Sequence, residues 1–199
     1  AHIYGKNLIN NVTELTVPNP ILNYAKTKFM AEQHFLEKES SDKINTFILR
    51  LSNIIGSPID TNKKNWSLVS NDFCYQAIKN NMIILNTDGS QKRDFYSLED
   101  LLCTIENIVN KENYINKLNL FNLGSGNSIS IKNLAIMIKS ICKENFDRDI
   151  KLFFGDKKEN LNELLYDVEK IKSTGLYCSK NTIEKSIIET LNFCLNNKF

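Results

Sequence analysis

The stretches Tyr24-Ala25-Lys26-Thr27-Lys28 and Thr46-Phe47-Ile48-Leu49-Arg50-Leu51 decide how the chain is read. In the first, a phenol and an ammonium stand four residues apart, hence on one face of a helix. An ammonium held beside a phenol favours the phenolate. Such a tyrosine can serve as general base towards a hydroxyl or as general acid towards a ketone. The spacing by itself is common on exposed helices, and its surroundings give it weight. Apolar residues at helical spacing (Phe29, Met30, Phe35, Leu36) predict a helix from Asn23 to about Glu39, ending at Ser40-Ser41-Asp42. The second stretch has the length and apolar run of a buried strand.

Outward from this pair the alternation continues. Residues 1–4 read as the end of a strand, followed by a polar loop with Pro18 and Pro20. Trp66 to Asn80 reads as a helix, with Trp66 and Phe73 as core residues. Met82 to Leu85 is a strand leading into a turn at Asp88-Gly89. Ser97-Leu98-Glu99-Asp100 is close to a capping box and opens a helix to about Val109. A strand over Leu118–Leu123, a helix from Ser130 to about Lys143 and a strand over Ile150–Phe154 follow. Helices over Asp167–Ser173 and about Asn181–Leu195 close the chain. Strands alternating with helices imply an α/β fold. His34 falls on an outward polar stripe and is read as structural.

A chain of 199 residues can bury a substantial core. The net charge of +2 comes from basic and acidic residues dispersed along the whole length. No basic block argues for nucleic acid, and no long apolar run argues for a membrane span. The 28 asparagines are dispersed, which fits codon bias rather than a low-complexity tract. The five cysteines (Cys74, Cys103, Cys142, Cys178, Cys194) show no zinc-ligand or redox spacing. They are expected as buried free thiols in a reducing cytoplasm, and no metal site is expected. The opening Ala1-His2-Ile3-Tyr4-Gly5, without Met and in apparent mid-strand, is expected to mark a fragment. None of the seven glycines forms the G-x-x-G-x-x-G turn of a dinucleotide site. Gly124-Ser125-Gly126 comes nearest and reads as a tight turn, with a phosphate loop as the alternative.

Taken in order, the blocks carry a family likeness. They are Ile3-Tyr4-Gly5, Tyr24-x-x-x-Lys28 with Glu32, Leu49 to Gly56 (LRLSNIIG), Asp88 to Phe95 (DGSQKRDF), Glu99-Asp100-Leu101, Phe121 to Gly126 (FNLGSG) with Ser130-Ile131, and Asp167-x-x-Lys170 leading to Gly175-Leu176. Together they resemble the extended short-chain dehydrogenase/reductase superfamily, and within it the NAD-dependent nucleotide-sugar epimerase/dehydratase family. The resemblance covers essentially the whole chain and implies the C-terminal part of a Rossmann-like parallel sheet plus a smaller α/β substrate-binding domain. Residues 1–56 would be the remainder of the cofactor domain. Residues 57–199 would be mainly the substrate domain, with about 82–123 returning to the Rossmann-like part.

The resemblance also implies roles. Tyr24 would be the acid/base. Lys28 would hold the nicotinamide ribose of NAD or NADP and keep Tyr24 ionisable, and Ser52 would approach the nicotinamide. Asn53 would offer its amide to the diphosphate of a nucleotide sugar or to nearby backbone, and Arg93 would contact the diphosphate through its planar fork. Read from the residues alone, the alternatives are a plain surface ion pair for Arg93-Asp94 and a turn cap for Asn53. The 4,6-dehydratases of the family place an Asp-Glu pair where Ala1 and His2 stand, which removes that elimination and leaves His2 as a possible acid/base. A further family contact, Arg-x-Gly-Asp, is here Phe153-Phe154-Gly155-Asp156. The expected activity is therefore a 4-epimerase or ketoreductase in a cytoplasmic homodimer. The isolated segment is expected to be inactive and without useful affinity for NAD(P). The alternative is a non-catalytic relative that binds a nucleotide or a protein partner without turnover.

Overall fold

The computed structural model describes residues 1–37, 45–61, 66–111, 118–158 and 163–197. The chain enters through a 3-10 turn at His2–Asn7, not the strand end expected there. Tyr4 N–H donates to the Ala1 carbonyl and Asn19 N–H to the Ile3 carbonyl, so the backbone curls where a strand would run on. Then follow β1 (Asn10–Val12), α1 (Asn23–Glu37), β2 (Thr46–Leu51), β3 (Asn53–Ile55) and α2 (Val69–Asn80). β4 (Met82–Thr87), β5 (Lys92–Ser97), α3 (Leu98–Asn110), β6 (Leu118–Leu123) and β7 (Ser128–Ser130) come next. The chain continues through α4 (Ile131–Phe146), β8 (Lys151–Lys157), β9 (Leu164–Tyr166), α5 (Glu169–Lys172) and α6 (Ile183–Asn196). The expected stop of α1 at Ser40-Ser41-Asp42 lies outside the described residues.

Parallel pairing dominates, as an α/β fold requires. β2 runs parallel to β6 from Thr46↔Leu118 to Leu51↔Leu123, and β4 runs parallel to β8. β1 pairs with β9, and β3 with β5, whose other edge takes β7 antiparallel. Local sequence starts the helices as expected. Ser97 caps α3, its hydroxyl accepting from the amides of Glu99 and Asp100, and Ser130 caps α4 through Asn133 N–H.

Two buried clusters hold these elements. One gathers Phe73 and Ala77 of α2, Leu134 and Ile138 of α4, and Ile187 and Leu191 of α6 over Ile83 and Phe95. The other packs Tyr4, Val12, Tyr96, Phe121, Leu123, Tyr166 and Ile171 together. Each such side chain contributes roughly 1.5–3 kcal/mol on full burial. Trp66 packs its ring against Tyr75 and Phe193, in keeping with its core reading.

Two expectations need correction. Cys74, Cys142 and Cys194 are buried free thiols, and burial pushes Cys142 to about 11 and Cys194 to about 12. Cys103 and Cys178, however, are joined in a disulfide with Cα atoms 6.0 Å apart, tying α3 to the segment after α5. Their separation of 75 residues has no local signature in the sequence. The β2 strand has the expected bounds, yet its fully buried residue is the charged one, Arg50, while its apolar side chains are only half-buried.

Arg50 is the centre of a polar network inside the second cluster. Its guanidinium donates to both carboxylate oxygens of Glu32 on α1, at 2.6 and 3.1 Å, and to the Glu14 carbonyl and the Tyr4 hydroxyl. Burial opposes its charge, but the bonds to Glu32 and Tyr4 outweigh that and hold it more firmly protonated than usual. The Tyr4 hydroxyl in turn donates to Asn122 Oδ1 at 2.5 Å. A bidentate pair of this kind fixes α1 to β2 at one point and one angle. It also sets which face of α1 is left outside: Ala25 and Glu32 turn inward, and Tyr24, Lys28, Met30 and Phe35 are exposed. Of the apolar residues thought to line the helix, only Phe29 and Leu36 are partly covered.

Candidate active site

A cleft of about 500 Å³ opens between the amino-terminal turn, the β2–β3 junction, β5 and the end of β8. Of the residues singled out in the sequence, His2, Ser52, Asn53 and Arg93 line it. Tyr24 and Lys28 do not. They sit together on α1, with the Lys28 ammonium 5.6 Å from the centre of the Tyr24 ring, and the tyrosine is 62% exposed. His2 connects the two groups, its ring edge-on to Tyr24 with centroids 6.4 Å apart. Partial burial, then the nearby amino terminus and Arg93, lower the His2 imidazole from its ordinary value.

The β2–β3 junction explains why Ser52 and Asn53 face the cleft. β2 pairs with β6 up to Leu51, and β3 pairs with β5 from Asn53. Ser52 lies at the crossover, donating its amide to the Leu123 carbonyl. The Asn53 side-chain amide donates to the Asp94 carbonyl at 2.9 Å, so it braces β5 rather than capping a turn.

Arg93 and Asp94 do not form a plain surface ion pair. Successive strand residues point to opposite faces. The Arg93 fork donates to Gln91 Oε1 at 2.9 and 3.2 Å, at the cleft, and Asp94 turns into the fold with 1% exposure. The Asp94 carboxylate accepts from Ser125 N–H at 2.9 Å and from the Ser125 hydroxyl at 2.8 Å. That arrangement decides the reading of Gly124-Ser125-Gly126. Its Ser125 amide is occupied by the protein's own carboxylate, which makes it a turn and not a phosphate loop. Glycine is required at 124, because a Cβ there would stand 2.5 Å from Asp94 Oδ1. The Tyr177 hydroxyl ties off the same turn by donating to the Gly124 carbonyl.

Sequence alone gives Asp94 no role beyond the alternative of a surface pair with Arg93; its position in the Arg93-Asp94-Phe95 block is the available signal. Burial raises its carboxyl above the usual aspartate value, partly offset by the hydrogen bonds from Ser125. The folded value thus exceeds the unfolded one. Its contribution to stability is complete below the unfolded value and is lost as pH rises through the folded value. Asp94→Asn keeps an acceptor for Ser125 N–H without the charge, and is expected to flatten the fall in stability as pH rises above about 4. Urea unfolding across that range tests it, and identical pH slopes for the two proteins would refute it. Asp94→Ala instead strands the Ser125 donors and should cost about 1–3 kcal/mol.

Residues 1–124 match the NAD dependent epimerase/dehydratase family. The dTDP-L-rhamnose 4-epimerase of Burkholderia thailandensis is 31% identical over 135 residues, covering 67% of this chain and 36% of that protein. RMD of Pseudomonas aeruginosa, solved with NADPH, superposes with a TM-score of 0.79 at 17% identity over 97% of this chain and 63% of its own. The UDP-glucuronic acid 4-epimerase of Bacillus cereus, solved with UDP-glucuronic acid and NAD, gives 0.77 at 17% identity over 98% of this chain and 59% of its own. The chain therefore spans less than two thirds of the length of each. The parallel α/β architecture is that of these enzymes, Rossmann-like in its sheet pairing. With more than half its length matched, the chain belongs to the NAD dependent epimerase/dehydratase family.

Proposed function

We propose that this chain carries the substrate cleft and the acid/base pair of an NAD(P)-dependent enzyme that epimerises, or reduces, a nucleotide-activated sugar at a hydroxyl-bearing carbon. One observation carries the reading: His2, Ser52, Asn53 and Arg93 converge on a single cleft with the Tyr24–Lys28 pair at its His2 edge. Arg93 presents a planar fork to a diphosphate, and Asn53 positions β5, which carries that fork. Tyr24 takes the proton of the sugar hydroxyl at its phenolic oxygen, or gives one to the ketone oxygen, with the Lys28 ammonium beside its ring.

The exposed Tyr24–Lys28 face fits the ribose end of a nicotinamide cofactor, with Ser52 at the crossover beside it. The glycine-rich turn that would take the pyrophosphate is not in this sequence. NAD or NADP, when bound, would accept and return a hydride. The assignment as a 4-epimerase is favoured by the 4-epimerases among the similar proteins.

Arg93→Lys tests the substrate class. It keeps the charge and loses the fork, and should weaken binding of nucleoside diphosphates to the purified chain by roughly 1–3 kcal/mol. Calorimetry with UDP, GDP, CDP and dTDP is the measurement. Equal binding by wild type and variant, for whichever nucleotide binds best, would remove Arg93 from the substrate site and the nucleotide sugar with it.

A further inference from the structure

We propose that Lys157 and Lys158 form a second cationic arm of the cleft, so that it selects a ligand carrying two adjacent anionic groups over one carrying a single such group. This rests on the reading of the cleft as a diphosphate site and names residues that complete it. The arginine of the family's Arg-x-Gly-Asp run is replaced here by Phe153, half-exposed on β8. Arg93 alone would leave one side of a diphosphate without a cation.

The backbone of β8 shows how lysines reach that side. Leu85 pairs with Phe154 and Thr87 with Lys157, so Gly155 and Asp156 together stand opposite Asn86 alone. This is a bulge with one extra residue on β8, and bulges turn the following side chains to a different face. The bulge is built in, because a Cβ on residue 155 would lie 2.3 Å from the Asn86 carbonyl oxygen. Beyond it the Lys157 carbonyl is held by Asp88 N–H at 3.1 Å, and Lys157 and Lys158 line the cleft.

Charge points the same way. Among the lining residues Asp94 is the one acid, and its oxygens are committed to Ser125. Lys92 is matched by Glu163 at 2.6 Å. Neither Lys157 nor Lys158 has an ion-pair partner among the described residues. Exposed ammonium groups with no partner, at the mouth of a cleft already holding a guanidinium, attract multivalent anions more than monovalent ones.

The test is calorimetric binding of inorganic pyrophosphate, UDP and UMP to the full chain at two salt concentrations. Lys157→Ala/Lys158→Ala is expected to weaken pyrophosphate and UDP by about tenfold, UMP by much less, and to reduce the salt dependence. Lys139→Ala/Lys143→Ala, which removes the same charge from α4 outside the cleft lining, should leave all three unchanged. Lys143, Lys157 and Lys158 are exposed and Lys139 is half-buried, and circular dichroism is the check that both variants fold. If Arg93→Lys weakens UDP while the Lys157/Lys158 variant matches wild type, this inference is overturned and the cleft reading stands. If wild type binds neither pyrophosphate nor UDP, both fall.

Discussion

Glu32→Ala is expected to lower the stability of the chain by about 3–5 kcal/mol, the usual cost of removing one partner from a buried ion pair. The side chains of Arg50 and Glu32 are only 5% and 6% exposed, so solvent screens little of the interaction. Without Glu32 the guanidinium keeps the Glu14 carbonyl and the Tyr4 hydroxyl, neither of which carries the compensating charge. Set against a total of 5–15 kcal/mol for a typical domain, the loss is large. Thermal unfolding should show a fall in Tm on the order of 10 °C. Glu32→Gln, which keeps one acceptor, should fall between. A change of a degree or less in Glu32→Ala would mean that water reaches Arg50, and that α1 is held by Ala25 and Phe29 packing instead. The consequence beyond stability is positional, since the Arg50–Glu32 bond fixes the helix that carries Tyr24 and Lys28.

The elements legible in the sequence were those whose signal is local. Thr46–Leu51 and Leu118–Leu123 are short apolar runs of strand length, and they pair along their full extent. Ser97 and Ser130 announce helix starts by side-chain capping chemistry that needs nothing from the rest of the fold. The strands that escaped notice are polar or brief and exist through distant partners. Asn10–Val12 becomes a strand only by meeting Leu164–Tyr166, and Ser128–Ser130 by meeting Lys92–Asp94. Lys92–Ser97 itself reads as a charged segment because its first residues face the cleft. The half-burial of the β2 side chains follows from the same limit, since periodicity gives a strand's length and not what covers its faces.

The site divides the same way. The block order placed Ser52, Asn53 and Arg93 in one cleft without any spacing rule to bring them there. The role of Asp94 has no local signal, because it depends on Ser125 arriving from the turn after β6. The lysines at the end of β8 were invisible, because a one-residue bulge between β4 and β8 decides where they point. The Cys103–Cys178 bridge likewise depends on how α3 packs beside the segment after α5.

Tyr24→Phe should reduce turnover of the cofactor-loaded enzyme by roughly 10²–10⁴-fold, with little change in substrate affinity. The substitution keeps the ring, so the edge-on contact with His2 and the approach of the Lys28 ammonium survive. Because Tyr24 is largely exposed on α1, loss of its hydroxyl costs the fold almost nothing, and any effect belongs to proton transfer. Binding of nucleoside diphosphate should be unchanged, since the Arg93 side of the cleft does not include Tyr24. Lys28→Met is the companion: it leaves the phenol in place and removes the charge beside it, so turnover should fall while the fold is unchanged. His2→Asn separates the remaining possibility, for if His2 rather than Tyr24 moves the proton, this variant and not Tyr24→Phe will carry the large loss. Turnover within a few-fold of wild type in Tyr24→Phe would reduce the Tyr24–Lys28 pair to a feature of the helix surface.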